Sequence, residues 1–315
     1  MNDRLRVIGA APSPGRACTV CVGNFDGLHL GHRSILARAR ELAGNHGEAC
    51  VALTFEPHPL RVLRPEKVFA MIYPHAERYR QLAAAGMDAV AVEEFTRDTA
   101  DTEPEAWIEG ILLGALGAAH VVVGYDFRFG HMARGDAAML QEYAATRGVQ
   151  VEVMEPVASD GLKVSSSRIR RAIGAGDVET AARLLDRPFH VRGFVAVGAK
   201  RGRTLGFPTA NLQTDWELIP ANGVYAGIAV VDGTRVATGI SVGTNPTFGD
   251  DGRRIEAHLI DWSGDIYGCE ISVHFLARLR DEIRFPNVEA LVAQMRADID
   301  TARTIAARHD GGLDP

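Results

Sequence analysis

His29 and His32 bracket Gly31 in the segment Gly23-Asn24-Phe25-Asp26-Gly27-Leu28-His29-Leu30-Gly31-His32. Two imidazoles at this spacing can donate hydrogen bonds to one phosphate, and the glycines let backbone approach it closely. The segment follows the apolar run Thr19–Val22 and opens a helical pattern. An anion there would also meet a helix N-terminus. Such a constellation stabilises charge on phosphorus under in-line attack, with the nucleophile supplied by a second substrate. Taken singly, either histidine reads better as a helix N-terminal or core residue; the H-x-G-H pattern after a buried strand, with Gly23 and Gly27 before it, favours the phosphate role. A second group is Val164-Ser165-Ser166-Ser167-Arg168-Ile169-Arg170, with hydroxyls at a helix start and guanidiniums after them. That set suits a polyphosphate, although the serines alone fit an N-cap. In Pro208-Thr209-Ala210-Asn211, a hydroxyl and an amide two residues apart share one side of an extended chain. Both offer oxygen to Mg²⁺. Just before them, Gly198-Ala199-Lys200-Arg201-Gly202-Arg203 reads as a glycine-rich phosphate loop or as a turn whose arginines only solvate it. No G-x-x-x-x-G-K-[ST] sequence occurs, so a kinase built on this chain needs another phosphate cradle.

The elements that must carry these groups change character along the chain. Strand patterns at Thr19–Val22, Ala49–Phe55, Ala89–Val92, His120–Val123 and Val149–Val153 alternate with helical patterns at 32–45, 75–85, 104–116 and 136–147. This rhythm predicts a doubly wound, Rossmann-like parallel sheet in an α/β domain, with ligands beyond the carboxyl ends of its strands. Helices are expected at 166–174 and 177–185. From Phe189 to about Leu279, short strands separated by Gly, Pro and Asn-Gly or Asp-Gly turns predict an antiparallel barrel or sandwich. A last amphipathic helix is expected at 287–307. The domain expectation is 1–185 and 186–315.

Composition narrows the classes. The 315 residues favour two domains, each long enough for its own core. A net charge of −6 argues against a general nucleic-acid binder. No apolar run reaches the length of a membrane span and no leader pattern opens the sequence, which predicts a cytoplasmic protein without membrane association. Cys18 and Cys21 form a C-x-x-C inside a β-branched strand rather than at a helix start, so they read as small buried hydrophobes and not as a redox pair. The sequence leaves the oligomeric state open and is compatible with a homo-oligomer.

The H-x-G-H segment resembles the motif of the nucleotidyltransferase superfamily. Its companions Thr54-Phe55-Glu56-Pro57-His58-Pro59, Gly124-Tyr125-Asp126-Phe127-Arg128-Phe129-Gly130 and Val164–Arg170 resemble the FMN adenylyltransferase module of bacterial bifunctional riboflavin kinase/FAD synthetases. Pro208–Asn211 matches the P-T-A-N motif of riboflavin kinases. In family order follow Pro220–Ala226, Gly243–Phe248, Glu256–Leu259 and Asp265–Gly268. Departures are Trp107 for Phe, Ile266 for Leu and Ser167 for Thr, none of which removes a charged or nucleophilic group.

The resemblance implies a six-stranded barrel with a terminal helix for the second half. It implies riboflavin, FMN and ATP as substrates, Mg²⁺ as cofactor, and FMN and FAD as products. His29 and His32 would stabilise the transferring phosphate, with Gly23, Phe25, Asp26 and Gly31 around them. Ser165, Ser166 and Arg170 would hold the leaving phosphates, with Ser167 and Arg168 beside them in the nucleotide site. Phe55, Pro57, His58, Asp126 and Phe127 would border flavin or nucleotide, although core packing accounts equally well for the aromatics. In the second half Gly198, Gly202, Arg203 and Pro208 would shape the nucleotide site, and Thr209 and Asn211 would hold Mg²⁺. Glu256 would be the general base, where by itself it reads as an exposed strand residue. Arg280 would lie near the flavin or act as a surface or helix-end cation.

Overall fold

The computed structural model describes residues 5–10, 16–196, 206–244, 253–309 and 311–313. The expected phosphate loop with Gly198, Gly202 and Arg203 lies outside the described residues, as does Asn245–Phe248. Backbone contacts divide the chain into a first unit, Met1–Phe69 with His75–Val164, and a second, Ala70–Pro74 with Ser165–Pro315. The helices Ser166–Ala175 and Val178–Leu185 cluster with the second unit.

The first unit holds a six-stranded sheet. Its strands are β1 (Leu5–Gly9), β2 (Cys18–Val22), β3 (Ala49–Glu56), β4 (Ala89–Glu94), β5 (Ala118–Gly124) and β6 (Gln150–Met154). Their order is β1-β4-β3-β2-β5-β6, and every neighbouring pair from β4 to β6 is parallel. The sequence reading did not include β1. It runs antiparallel on β4 as an edge strand of five residues, too short for its Leu5-Arg6-Val7 alternation to stand out. Both faces of the sheet are covered, as continuous β-branched strands require. Val20, Val22, Val51, Leu53, Val121 and Val123 pack against Trp107, Ile108, Ile111, Leu112 and Leu140. The opposite face packs Cys21, Cys50, Ala52 and Val122 against Leu36, Ala39 and Leu42 of helix α1 (Leu30–His46). Cys18 and Cys21 lie three residues apart on a strand and so point to opposite faces, one in each core. Burial, Glu48 and Cys50 push the Cys18 thiol up to about 12. The C-x-x-C is packing, as its setting indicated.

The helix expected at 104–116 exists but is not α throughout. Pro104–Trp107 is α and Ile108–Ala115 is π-helical. Gly114 accounts for part of this, because a Cβ there would sit 2.9 Å from the Glu109 carbonyl oxygen.

In the second unit six strands close a barrel: β7 (Phe189–Ala196), β8 (Ala210–Gln213), β9 (Gly223–Val231), β10 (Thr234–Thr244), β11 (Arg253–Leu259) and β12 (Glu270–Arg280). The order is β7-β8-β11-β10-β9-β12, closing back on β7, and all pairs are antiparallel. Along β8 and β11, Ala210, Leu212, Ile255, Ala257 and Leu259 are buried, whereas Asn211 and Glu256 are half-buried. Strand alternation therefore turns Asn211 and Glu256 outward. The terminal helix Val288–Ala307 is capped by Asn287, whose side chain accepts from the Ala290 amide at 2.8 Å.

Candidate active sites

In the first unit the H-x-G-H segment joins β2 to α1, at the centre of the sheet where strand order reverses between β3 and β5. That is the ligand crevice of a doubly wound sheet. His29 is the N-cap of α1, its Nδ1 accepting from the His32 amide at 3.3 Å. The two rings stack at 3.7 Å between centroids and 12° between planes. Both imidazoles thus stand together over the first turn of α1, where backbone N–H groups also favour an anion. Gly31 makes room for this: a Cβ would lie 3.3 Å from Cε1 and Nδ1 of His29. The loop before them is strained, with Phe25 at φ 48°, Gly27 at 88° and Leu28 at 41°. A bulky residue at such a φ costs about 1–3 kcal/mol and persists where its surroundings over-determine it. Phe25 is fully buried and Asp26 nearly so. The Gly23 amide donates to the Leu53 carbonyl at 3.1 Å, tying this loop to β3.

A residue the sequence reading missed holds two of the loops together. Arg78 is 1% exposed and donates to the Asn24 carbonyl at 3.1 Å and the Phe55 carbonyl at 3.4 Å. A third contact, 2.9 Å, reaches His75 Nδ1. Its guanidinium therefore joins the loop after β2 to the end of β3. The available signal was an arginine four residues before Leu82 on the helix His75–Ala84, a cation on the apolar stripe.

Among the proposed flavin-side residues, Phe55 belongs to the core and meets Phe95 edge-on. Phe127 is partly buried and stacks on Phe129 at 5.3 Å. His58 is buried and caps the short helix Pro59–Leu63, while Pro57 is exposed. Asp126 is exposed and paired with Lys163 Nζ at 2.5 Å. Ser165, in the second unit, caps the helix Ser166–Ala175 by accepting from the Arg168 amide at 3.3 Å. Arg168 and Arg170 on that helix are half-buried, and Ser167 is exposed.

In the barrel, Thr209 Oγ1 donates to Glu256 Oε2 at 3.3 Å. Asn211 stands directly opposite Glu256 in the β8–β11 register, so the two side chains share the outward face. Ser241 on β10 is opposite Glu256 on its other side, and the sequence reading did not include it. The result is a row of hydroxyl, amide and carboxylate groups. An all-oxygen donor set of this kind fits Mg²⁺ and not a thiolate-seeking or imidazole-seeking ion. Beside it opens a pocket of about 530 Å³, lined by Pro208, Thr209, Ala210, Ala257, Leu259, Trp262, Asp265 and Tyr267. Pro208 is fixed from across the strand pair, its carbonyl 2.8 Å from His258 Nδ1. Arg280 makes a two-point ion pair with Asp298 of the terminal helix, at 2.8 Å and 3.0 Å, with its guanidinium over the Phe285 ring.

The FAD synthetase family model matches residues 12–168 and the riboflavin kinase family model matches residues 185–306. A bifunctional riboflavin kinase/FMN adenylyltransferase from Pseudomonas fluorescens is 39% identical over 93% of this chain and 94% of its own length. The proteins of the same description from Listeria monocytogenes and Escherichia coli K12 are 37% and 34% identical over 92% of this chain, and over 92% and 93% of their own lengths. A solved structure from Streptococcus pneumoniae, described as a macrolide-efflux protein, superposes with a TM-score of 0.85 at 34% identity, covering 93% of this chain and 95% of that one. Efflux finds no counterpart in the two family matches, and among the described residues no helix is long and apolar enough to cross a membrane. Two family matches in sequence order and relatives aligned almost end to end place this chain in the family of bifunctional riboflavin kinase/FMN adenylyltransferases.

Proposed function

We propose that the chain phosphorylates riboflavin to FMN at the barrel and adenylylates FMN to FAD at the H-x-G-H loop, using ATP for both. The observation that carries this is that two chemically different side-chain clusters sit in different units: stacked imidazoles at a helix start in one, a carboxylate–hydroxyl–amide row in the other.

At the barrel the ribityl 5′-hydroxyl oxygen attacks the γ-phosphorus of ATP. Glu256 accepts the hydroxyl proton, the bond from the γ-phosphorus to the bridging oxygen breaks, and ADP leaves. Thr209 positions the carboxylate through its hydroxyl, and Thr209 with Asn211 would hold Mg²⁺. When bound, that ion neutralises phosphate charge. The neighbouring pocket, with Trp262 and Tyr267 among its walls, is the place for a planar base or ring.

At the first unit an FMN phosphate oxygen attacks the α-phosphorus of ATP, the α–β bridge breaks, and pyrophosphate leaves. His29 and His32 donate to the α-phosphate as its charge rises, and the α1 amides add to this. Gly23 and Gly31 give the phosphate room, with Phe25 and Asp26 buried beneath. Phe55, Pro57, His58, Asp126 and Phe127 form the flavin side by resemblance. Ser165, Ser166, Ser167, Arg168 and Arg170 carry hydroxyl and guanidinium groups suited to the leaving pyrophosphate, and the resemblance gives Ser165, Ser166 and Arg170 that role. Arg280 acts through the terminal helix that it pins. Cysteines kept as free thiols accord with a reducing, cytoplasmic setting.

The test is incubation of the chain with riboflavin, ATP and Mg²⁺, separating FMN and FAD by chromatography. His29→Ala should accumulate FMN without FAD. Asn211→Ala should fail on riboflavin yet convert supplied FMN to FAD. A folded variant of either kind that loses both reactions would refute the two-site assignment.

A further inference from the structure

The first unit carries a cluster that neither reaction uses. His46, Glu48 and His120 each offer one ligand atom, and these three atoms lie within 4.8 Å of one another. The cluster is at the amino ends of the strands. Glu48 immediately precedes β3, His120 is the third residue of β5, and His46 is the last residue of α1. The catalytic histidines are at the other end of α1, whose 17 residues span about 25 Å at ~1.5 Å each. We propose that His46, Glu48 and His120 form a binding site for a divalent ion of the zinc type, which clips the end of α1 to β3 and β5.

Three observations support it. The donors are two imidazoles and a carboxylate, a set that selects Zn²⁺ or its neighbours over Mg²⁺. Glu48 and His120 are already held: their side chains are 10% and 8% exposed, Glu48 Oε2 is 2.9 Å from His120 Nδ1, and Thr19 Oγ1 donates to the same oxygen at 2.7 Å. Finally, the α1 C-terminus ends here, with Gly47 left-handed at φ 65°, and the negative pole of a helix favours a cation. His46 is exposed and now stacks on His120 at 4.2 Å and 29°. Ligation turns its ring out of that stack, because each nitrogen must aim at the ion from within its ring plane.

The experiment titrates the EDTA-stripped full chain with ZnCl₂ by calorimetry and repeats the titration with Co²⁺ for its visible absorption. The expected result is uptake of about one equivalent at this site, weakened at least about tenfold by His46→Ala, with FMN and FAD formation unchanged in that variant. Glu48→Gln should weaken it likewise and change the Co²⁺ band. Should Glu48→Gln fail to fold, the exposed His46→Ala decides alone. A chain that takes up no Zn²⁺, or whose uptake survives His46→Ala intact, overturns the assignment.

Discussion

The two candidate active sites are assembled by different means. In the first unit His29 and His32 are three residues apart, brought together by one helix start at the end of one strand. In the barrel Thr209 and Glu256 are 47 residues apart, brought together by strand register. A parallel sheet delivers its chemistry through the loop that follows each strand, so a phosphate site can be written as one contiguous motif. An antiparallel barrel delivers it across neighbouring strands, so the same job is divided between distant segments. The first kind of site is sensitive to the local loop, the second to pairing of β8 with β11.

The sharpest way to break this comparison is at Glu256. Glu256→Gln keeps the shape and the hydrogen bond to Thr209 but removes the proton acceptor. FMN formation should fall by about 10³-fold, within the ~10²–10⁴ expected for a general base, while adenylylation of supplied FMN continues at its original rate. Equal loss in both reactions would contradict independent sites. Next in size is His32→Ala, which removes one of the two donors proposed for the transferring phosphate. A fall of about 10²-fold in FAD formation is expected, carried by kcat more than by KM, because the donor matters most where charge develops. Steady-state rates on FMN and on riboflavin, measured separately, check both.

Arg78 sharpens the first half of the comparison. If a contiguous motif still needs outside support, removing that support should damage only its own unit. Arg78→Met removes the charged donor from the Asn24 and Phe55 carbonyls and leaves Asn24 only the Thr54 hydroxyl at 3.3 Å. The expected cost is about 3 kcal/mol in stability, seen as a lower urea midpoint, since bonds to a charged donor are worth ~1.5–3 kcal/mol each. FAD formation should drop with it and FMN formation should not. A variant of unchanged stability would show that the loops hold themselves.

The same contrast explains how much could be read from residue order. The placement of H-x-G-H at a helix start was legible because strand, glycines and helix start are consecutive, and the two rings stack there. The closed barrel was legible as texture, through its turns and short strands. Glu256 was legible only by resemblance, because nothing in Ile255–Ile260 says that Asn211 lies opposite; that is decided by pairing. Ser241 stayed hidden for the same reason. Arg78 stayed hidden because two of its three partners are backbone carbonyls, which no side-chain pattern announces. The strand Leu5–Gly9 was missed because five residues are too few for its Leu5-Arg6-Val7 alternation to stand out.

The smallest effect concerns the barrel away from its active row. His274 is fully buried opposite His190, with Nε2 3.0 Å from Ser272 Oγ. Burial, reinforced by His190, Arg192, Arg235 and His309, pushes its pKa well below 6.5. The folded chain therefore keeps this imidazole neutral where the unfolded chain protonates it. Below the unfolded value of about 6.5 the unfolded state binds the extra proton, so stability from this group is fully present above that pH and declines as pH falls. The decline approaches about 1.4 kcal/mol per pH unit until the folded group itself titrates. Urea unfolding at a series of pH values between neutral and mildly acidic should show this slope in the wild type. His274→Gln, neutral throughout, should have a shallower slope whatever its absolute stability. Parallel slopes would mean that protonation of His274 does not distinguish the folded from the unfolded barrel.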